Sequence, residues 1–141
     1  MKKLILFFAS LILIISFTGC SVDKSASTLG DNYYKAMQNK DYDMALTYFS
    51  SDFYDNISQS DWQQILQNID TKLGNLESYK LIGWDKSVMS GINVRNGTTY
   101  ILNYEVIYSN ETVDEYLTMF QPKNDQLQIE KWQSSSTLLL K

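Results

Sequence analysis

The strongest constraint on this chain is a change of hydrophobic period near Leu76. Before it, apolar residues recur at three- and four-residue spacing, the signature of amphipathic helices. After it they alternate, and β-favouring residues accumulate. Helices first and consecutive antiparallel strands afterwards is the pattern of an α+β domain, with helices gathered on one face of a sheet. With 141 residues there is room for one domain of ordinary size.

The helical half reads as three segments. Leu29, Tyr33, Ala36 and Met37 form one stripe, and Asn39-Lys40 breaks it. Asp41 is placed to cap a second helix, on which Tyr42, Ala45, Leu46 and Phe49 recur until Ser50-Ser51-Asp52. The third has Ser60 as N-cap with Gln63 three residues on, a capping-box spacing. Its face is Trp62, Ile65, Leu66, Ile69 and Leu73, and Gly74 suits its C-terminal cap.

The alternating half predicts four strands: Glu77–Met89, Thr99–Tyr108, Val113–Gln121 and Leu127–Gln133, the last extendable to Leu140. The second alternates most cleanly, with Tyr100, Leu102, Tyr104, Val106 and Tyr108 on one face and Ile101, Glu105 and Ile107 on the other. On the third the parity is ambiguous, Val113, Leu117 and Met119 opposing Tyr116 and Phe120. An apolar outer face there implies pairing of two copies through the sheet.

The N-terminus belongs to a different kind of chain. Met1-Lys2-Lys3 precedes an apolar run from Leu4 to Phe17 broken only by Ser10 and Ser16. Its length is short of the roughly 20 residues a membrane-spanning helix needs, and it fits the core of a secretory signal. The run ends at Phe17-Thr18-Gly19-Cys20, which resembles the lipobox of bacterial lipoproteins, with Phe where Leu is usual. The resemblance implies cleavage before Cys20, lipidation of its sulfur and anchorage by several acyl chains, since one chain alone holds marginally. Residues 1–19 are then a signal peptide, 20–28 the lipidated cysteine with a small polar tether, and 29–141 the folded domain. Ser21 after the cysteine favours delivery to an outer membrane where the host has one.

Composition narrows the chemistry. The chain has 12 basic and 16 acidic residues, a formal charge of −4, no histidine and one cysteine. Removing residues 1–19 takes two lysines and leaves −6. The acidic balance argues against a nucleic-acid partner. Without histidine there is no imidazole base or ligand, and one cysteine allows neither an internal disulfide nor a thiolate metal cluster. No cofactor is expected, and no enzyme.

The stretch from Tyr34 through Asn39-Lys40-Asp41-Tyr42-Asp43-Met44-Ala45-Leu46 to Phe49 is similar to the opening of nuclear-transport-factor-like domains, the cystatin-like α+β cones. That resemblance implies three helices packed on a curved four-stranded antiparallel sheet, as in small lipoprotein members of the superfamily. Enzymes, carriers and assembly modules share the fold, so it guides function weakly.

Individual residues add little catalytic inventory. Glu105 is the mid-strand carboxylate, on the face expected to meet solvent; Asp114 and Glu115 sit near a strand start. Asn39, Asp41 and Asp43 imitate alternating calcium ligands, yet Met44 and Ser50 occupy the positions where the loop needs Gly and Glu. Arg95, the single arginine, is a loop residue open to solvent or an anion. The ten tyrosines and three tryptophans either fill the core or line a partly wet pocket, for which Trp84, Tyr100, Tyr104 and Trp132 are the candidates. The expected function is a lipid-anchored envelope protein with a non-catalytic domain that binds an envelope protein or small ligand. The alternatives are a carrier of an apolar ligand in the cone and an enzyme relying on Tyr and carboxylate groups alone.

Overall fold

The computed structural model describes residues 21–140; the expected signal peptide and Cys20 lie outside them. Helix α1 spans Lys24–Gln38, α2 Tyr42–Thr47 and α3 Gln59–Leu73, with short 3-10 turns at Ser51–Tyr54 and Leu138–Leu140. Strands β1 (Leu76–Met89), β2 (Gly97–Tyr108), β3 (Thr112–Pro122) and β4 (Gln128–Ser134) form one antiparallel sheet in sequence order. The architecture is α+β, three helices on an open four-stranded sheet. Among the described residues no helix is long and apolar enough to cross a membrane.

The helix starts follow side-chain capping. Asp41 accepts the Met44 amide at 3.1 Å, as expected. The third helix begins earlier than its capping-box spacing implied, because Ser58, not Ser60, accepts the Asp61 amide. Gly74 closes it with φ of 83°, a left-handed angle that disfavours any side chain. The tether expected over 20–28 is shorter, since Asp23 accepts the Ser25 amide and starts α1 at once. Ala26 then lies fully buried among the core residues.

Helix α2 stops at Thr47 instead of running through Phe49. The reason is a distant partner: Ser50 donates its amide to the Ile129 carbonyl, and Ile129 donates to that of Tyr48. Phe49 therefore pairs in parallel with the free edge of β4.

Parity on β2 is as the sequence implied. Tyr100, Leu102, Tyr104, Val106 and Tyr108 are buried beneath the helices, with Val113, Leu117 and Met119 of β3 beside them. The opposite face, where an apolar surface for pairing was the expectation, is mixed. Ile101 and Tyr116 are exposed there, and the charged Lys80, Glu105 and Asp114 lie side by side across three strands. Register shifts in the β1–β2 and β3–β4 pairs are bulges, which bend and twist a sheet locally.

Helix α1 runs lengthwise over this sheet. At its start Asp23 accepts from Tyr100 at 3.2 Å and lies 3.9 Å from the Lys86 ammonium. Midway Tyr79 donates to Asp31, and at its end Gln38 donates to the Glu77 carbonyl at 3.0 Å. The N-terminal end of α1 is thus at the end of the sheet where the β1–β2 hairpin turns.

Candidate functional site

The most unusual group in the molecule is Glu115 on β3. Period-two alternation puts it on the same face as Val113, Leu117 and Met119, so its carboxylate enters the core and is fully buried. A buried carboxylate requires partners, and three elements supply them. Oε2 accepts from the Tyr34 hydroxyl of α1 at 3.1 Å and from the Trp132 indole of β4 at 3.0 Å. Oε1 accepts from the Tyr108 hydroxyl of β2 at 3.0 Å.

The electrostatics follow from the enclosure. Burial pushes the Glu115 carboxyl up to about 7, against the pull of its three donors. Burial also raises the Tyr34 and Tyr108 hydroxyls well above the usual phenol range, and the Glu115 charge adds to this. The cluster accommodates both protonation states, because a tyrosine hydroxyl that donates to a carboxylate can turn and accept from a carboxylic acid.

A buried carboxylate within reach of tyrosine hydroxyls is what a histidine-free acid–base site requires, together with room for a substrate. The two clefts beside Glu115 do not offer it that room. A shallow cleft of about 350 Å³ is lined by Ser27, Thr28, Asp31, Tyr79, Leu81 and Tyr104, and another of about 270 Å³ lies between α3 and Trp132. Glu115 is in the wall of neither. Tyr34 separates it from the first cleft, stacked on Tyr79 with centroids 4.9 Å apart and tilted against Tyr104 at 4.7 Å.

The first cleft carries its own acid–phenol pair. Asp31 accepts from Lys35 at 2.6 Å and from Tyr79, and these bonds, Lys35 first, hold its carboxyl below the usual range. Tyr79 is pushed up by burial and by its bond to Asp31. Gly30 lets Tyr104 approach α1: a Cβ there would clash with the Tyr104 hydroxyl, so the ring reaches the helix only because that side chain is absent.

The four expected pocket residues do not share a cavity. Tyr104 lines the Asp31 cleft, Trp132 lines the α3 cleft while its indole serves Glu115, Tyr100 holds Asp23, and Trp84 is half-buried on β1. Trp84 and Trp132 stand on opposite edge strands, three strand spacings or about 14 Å apart. The remaining candidates resolve simply. Glu105 is exposed, Asp41 caps α2, and Asp43 sits in its first turn. Arg95 pairs with Glu130 and lies 3.6 Å from the centre of the Phe120 ring. Among the described residues no group of three or more His, Cys, Asp or Glu is placed to hold a metal.

Sequence reasoning placed Glu115 only near a strand start, and it did not single out Tyr34, Tyr108, Asp31 or Tyr79 as site residues. The signal for Glu115 was present, since strict alternation through Val113, Leu117 and Met119 includes it. No family model matches the chain, no curated protein matches it, and no solved structure does.

Proposed function

We propose that this chain is a bacterial envelope lipoprotein whose domain, a nuclear-transport-factor-like α+β cone, acts by binding and not by catalysis. Residues 1–19 direct export, and Cys20 carries the lipid on the extracytoplasmic side of the membrane. One observation supports the non-catalytic reading above all. The acid with suitable chemistry, Glu115, is fully buried, has its oxygens occupied by Tyr34, Tyr108 and Trp132, and lines neither of the two clefts beside it. It holds helix, sheet and edge strand together, as satisfied buried polar networks do.

Carbodiimide labelling with an amine nucleophile tests this directly. Glu115 stays unmodified in the folded protein and reacts only after unfolding, whereas native-state labelling at Glu115 would mean that small molecules reach it and would defeat the reading. The anchor is tested with the full chain. Cys20→Ser loses acyl label and moves to the soluble fraction; an unchanged label and fractionation would dismiss the anchor.

A second reading has one observation in its favour. The cleft around Asp31, Tyr79, Leu81 and Tyr104 combines apolar walls with a paired carboxylate, a fit for a small amine- or hydroxyl-bearing ligand. Its mark is a rise in melting temperature with ligand that Leu81→Arg abolishes.

A further inference from the structure

The β1–β2 hairpin ends in an apolar tip. Val88, Met89, Ile92 and Val94 lie within seven residues, and all four are exposed, Ile92 by 91%. Single exposed aliphatics are ordinary on protein surfaces, whereas a cluster on a protruding turn requires a medium that receives it. The charge of this segment also differs from the rest. From Lys86 to Tyr104 there are two basic residues and no acid, in a domain that is otherwise acidic. Lys86 and Arg95 are held by Asp23 and Glu130, so the segment presents its aliphatics outermost with no acidic side chain of its own, which suits an interfacial membrane contact.

The chain itself indicates where a membrane would be. Asp23 is tied to Lys86 and Tyr100, residues paired across β1 and β2. From Lys86 to Met89 the strand advances about 10 Å towards the tip. From Asp23 back to Cys20 is three residues, a reach of at most about 11 Å. Asp23, at the hairpin end of the sheet, therefore brings a lipid on the cysteine three residues before it within about 11 Å of chain reach of that end.

We propose that the β1–β2 tip is a second membrane contact: Val88, Met89, Ile92 and Val94 enter the headgroup–acyl boundary of the bilayer that holds the Cys20 lipid. This rests on the lipid anchor proposed above. Two contacts fix orientation where one permits rotation. The sheet stands on its hairpin end, and the opposite end, with Glu77 and Asn110, points away from the bilayer.

The test uses the full acylated chain in vesicles of phosphatidylethanolamine and phosphatidylglycerol. With Cys20 acylated, Ile92→Cys supplies the one free thiol for an environment-sensitive fluorophore, and Glu77→Cys supplies the control at the far end. The expected result is quenching by doxyl-labelled lipid several-fold stronger at position 92 than at 77, with iodide excluded from position 92. Adding Met89→Asp to the Ile92→Cys chain abolishes the difference while the chain stays on the vesicle. Equal quenching at both positions overturns the proposal, as does iodide reaching position 92 freely. Shielding that occurs only in cell-derived membranes, and not in protein-free vesicles, also overturns it in favour of a protein partner. Mass spectrometry of Cys20 separates the two failures: an unacylated cysteine ends the anchor and this proposal together, while an acylated one with equal quenching ends the tip contact alone.

Discussion

Glu115 and Ile92 break the same rule in opposite directions. One is a charge-bearing side chain with no solvent contact, the other an aliphatic side chain almost wholly in water. At Glu115 the protein answers its own violation, with donors from α1, β2 and β4 converging on two oxygens. At the hairpin tip it supplies no answer of its own. An internally resolved violation is a structural device, whereas an unresolved one is addressed to something outside the fold. The two regions should accordingly respond to mutation in opposite ways, the first through stability and the second through surroundings.

The sharpest break is at the carboxylate. Glu115→Ala leaves three buried donors without an acceptor and opens a cavity, and should cost about 4 kcal/mol in urea denaturation. A loss under about 1 kcal/mol would mean that water already reaches the site.

Next in size is the pH response. A folded-state carboxyl raised to about 7, against an ordinary value near 4.5 unfolded, binds its proton more tightly in the native state. Its contribution is therefore most favourable below about pH 4.5 and is lost as pH rises through 7, by roughly 3 kcal/mol. Asp23, Asp31 and Glu111, held low by their hydrogen bonds, act oppositely, their contributions being lost as pH falls below about 4.5. Glu115→Gln flattens the upper limb alone, so parallel denaturation series of the two proteins from pH 5 to 8 isolate the carboxyl. A wild-type series as flat as the variant's would contradict the assignment.

Smaller again is the contact of α1 with the sheet. Gly30→Ala drives a Cβ into the Tyr104 hydroxyl and should destabilise by about 2 kcal/mol. Tyr104→Phe removes the struck atom and recovers most of that loss; failure to recover would place the strain in the helix backbone instead.

At the tip the expected effect on stability nearly vanishes. Ile92→Ser should alter unfolding free energy by less than about 0.5 kcal/mol. A larger loss would show that the tip packs on its own domain, and the contrast between the two regions would collapse.

The sequence was readable wherever structure depends on local spacing. The β2 alternation located five buried residues, the stripes located three helices, and Asp41 was recognisable as a cap from its neighbours alone. It was misleading where a distant partner decides. Phe49 continues a helical stripe, yet Ile129 takes the Tyr48 carbonyl and the Ser50 amide on either side of it. The polar string Ser21–Thr28 has a tether's composition, but Asp23 caps a helix whose Ala26 fits the core. Glu115 and Tyr34 are 81 residues apart, so nothing near either reveals that they form one cluster. The four aromatic pocket candidates were sound as inner-face residues and wrong as a set, because period two fixes the face and leaves the strand order's lateral distances unread.

The parallel bridge between Phe49 and Ile129 has a further consequence under the lipid anchorage proposed above. Copies anchored in two dimensions meet far more often than the same number in solution, and an uncovered strand edge is where like sheets join. The backbone of Tyr48–Ser50 occupies the β4 edge at Ile129 and leaves less of it for a neighbour's strand. The few residues that shorten α2 thereby take up edge backbone that a second sheet would otherwise pair with.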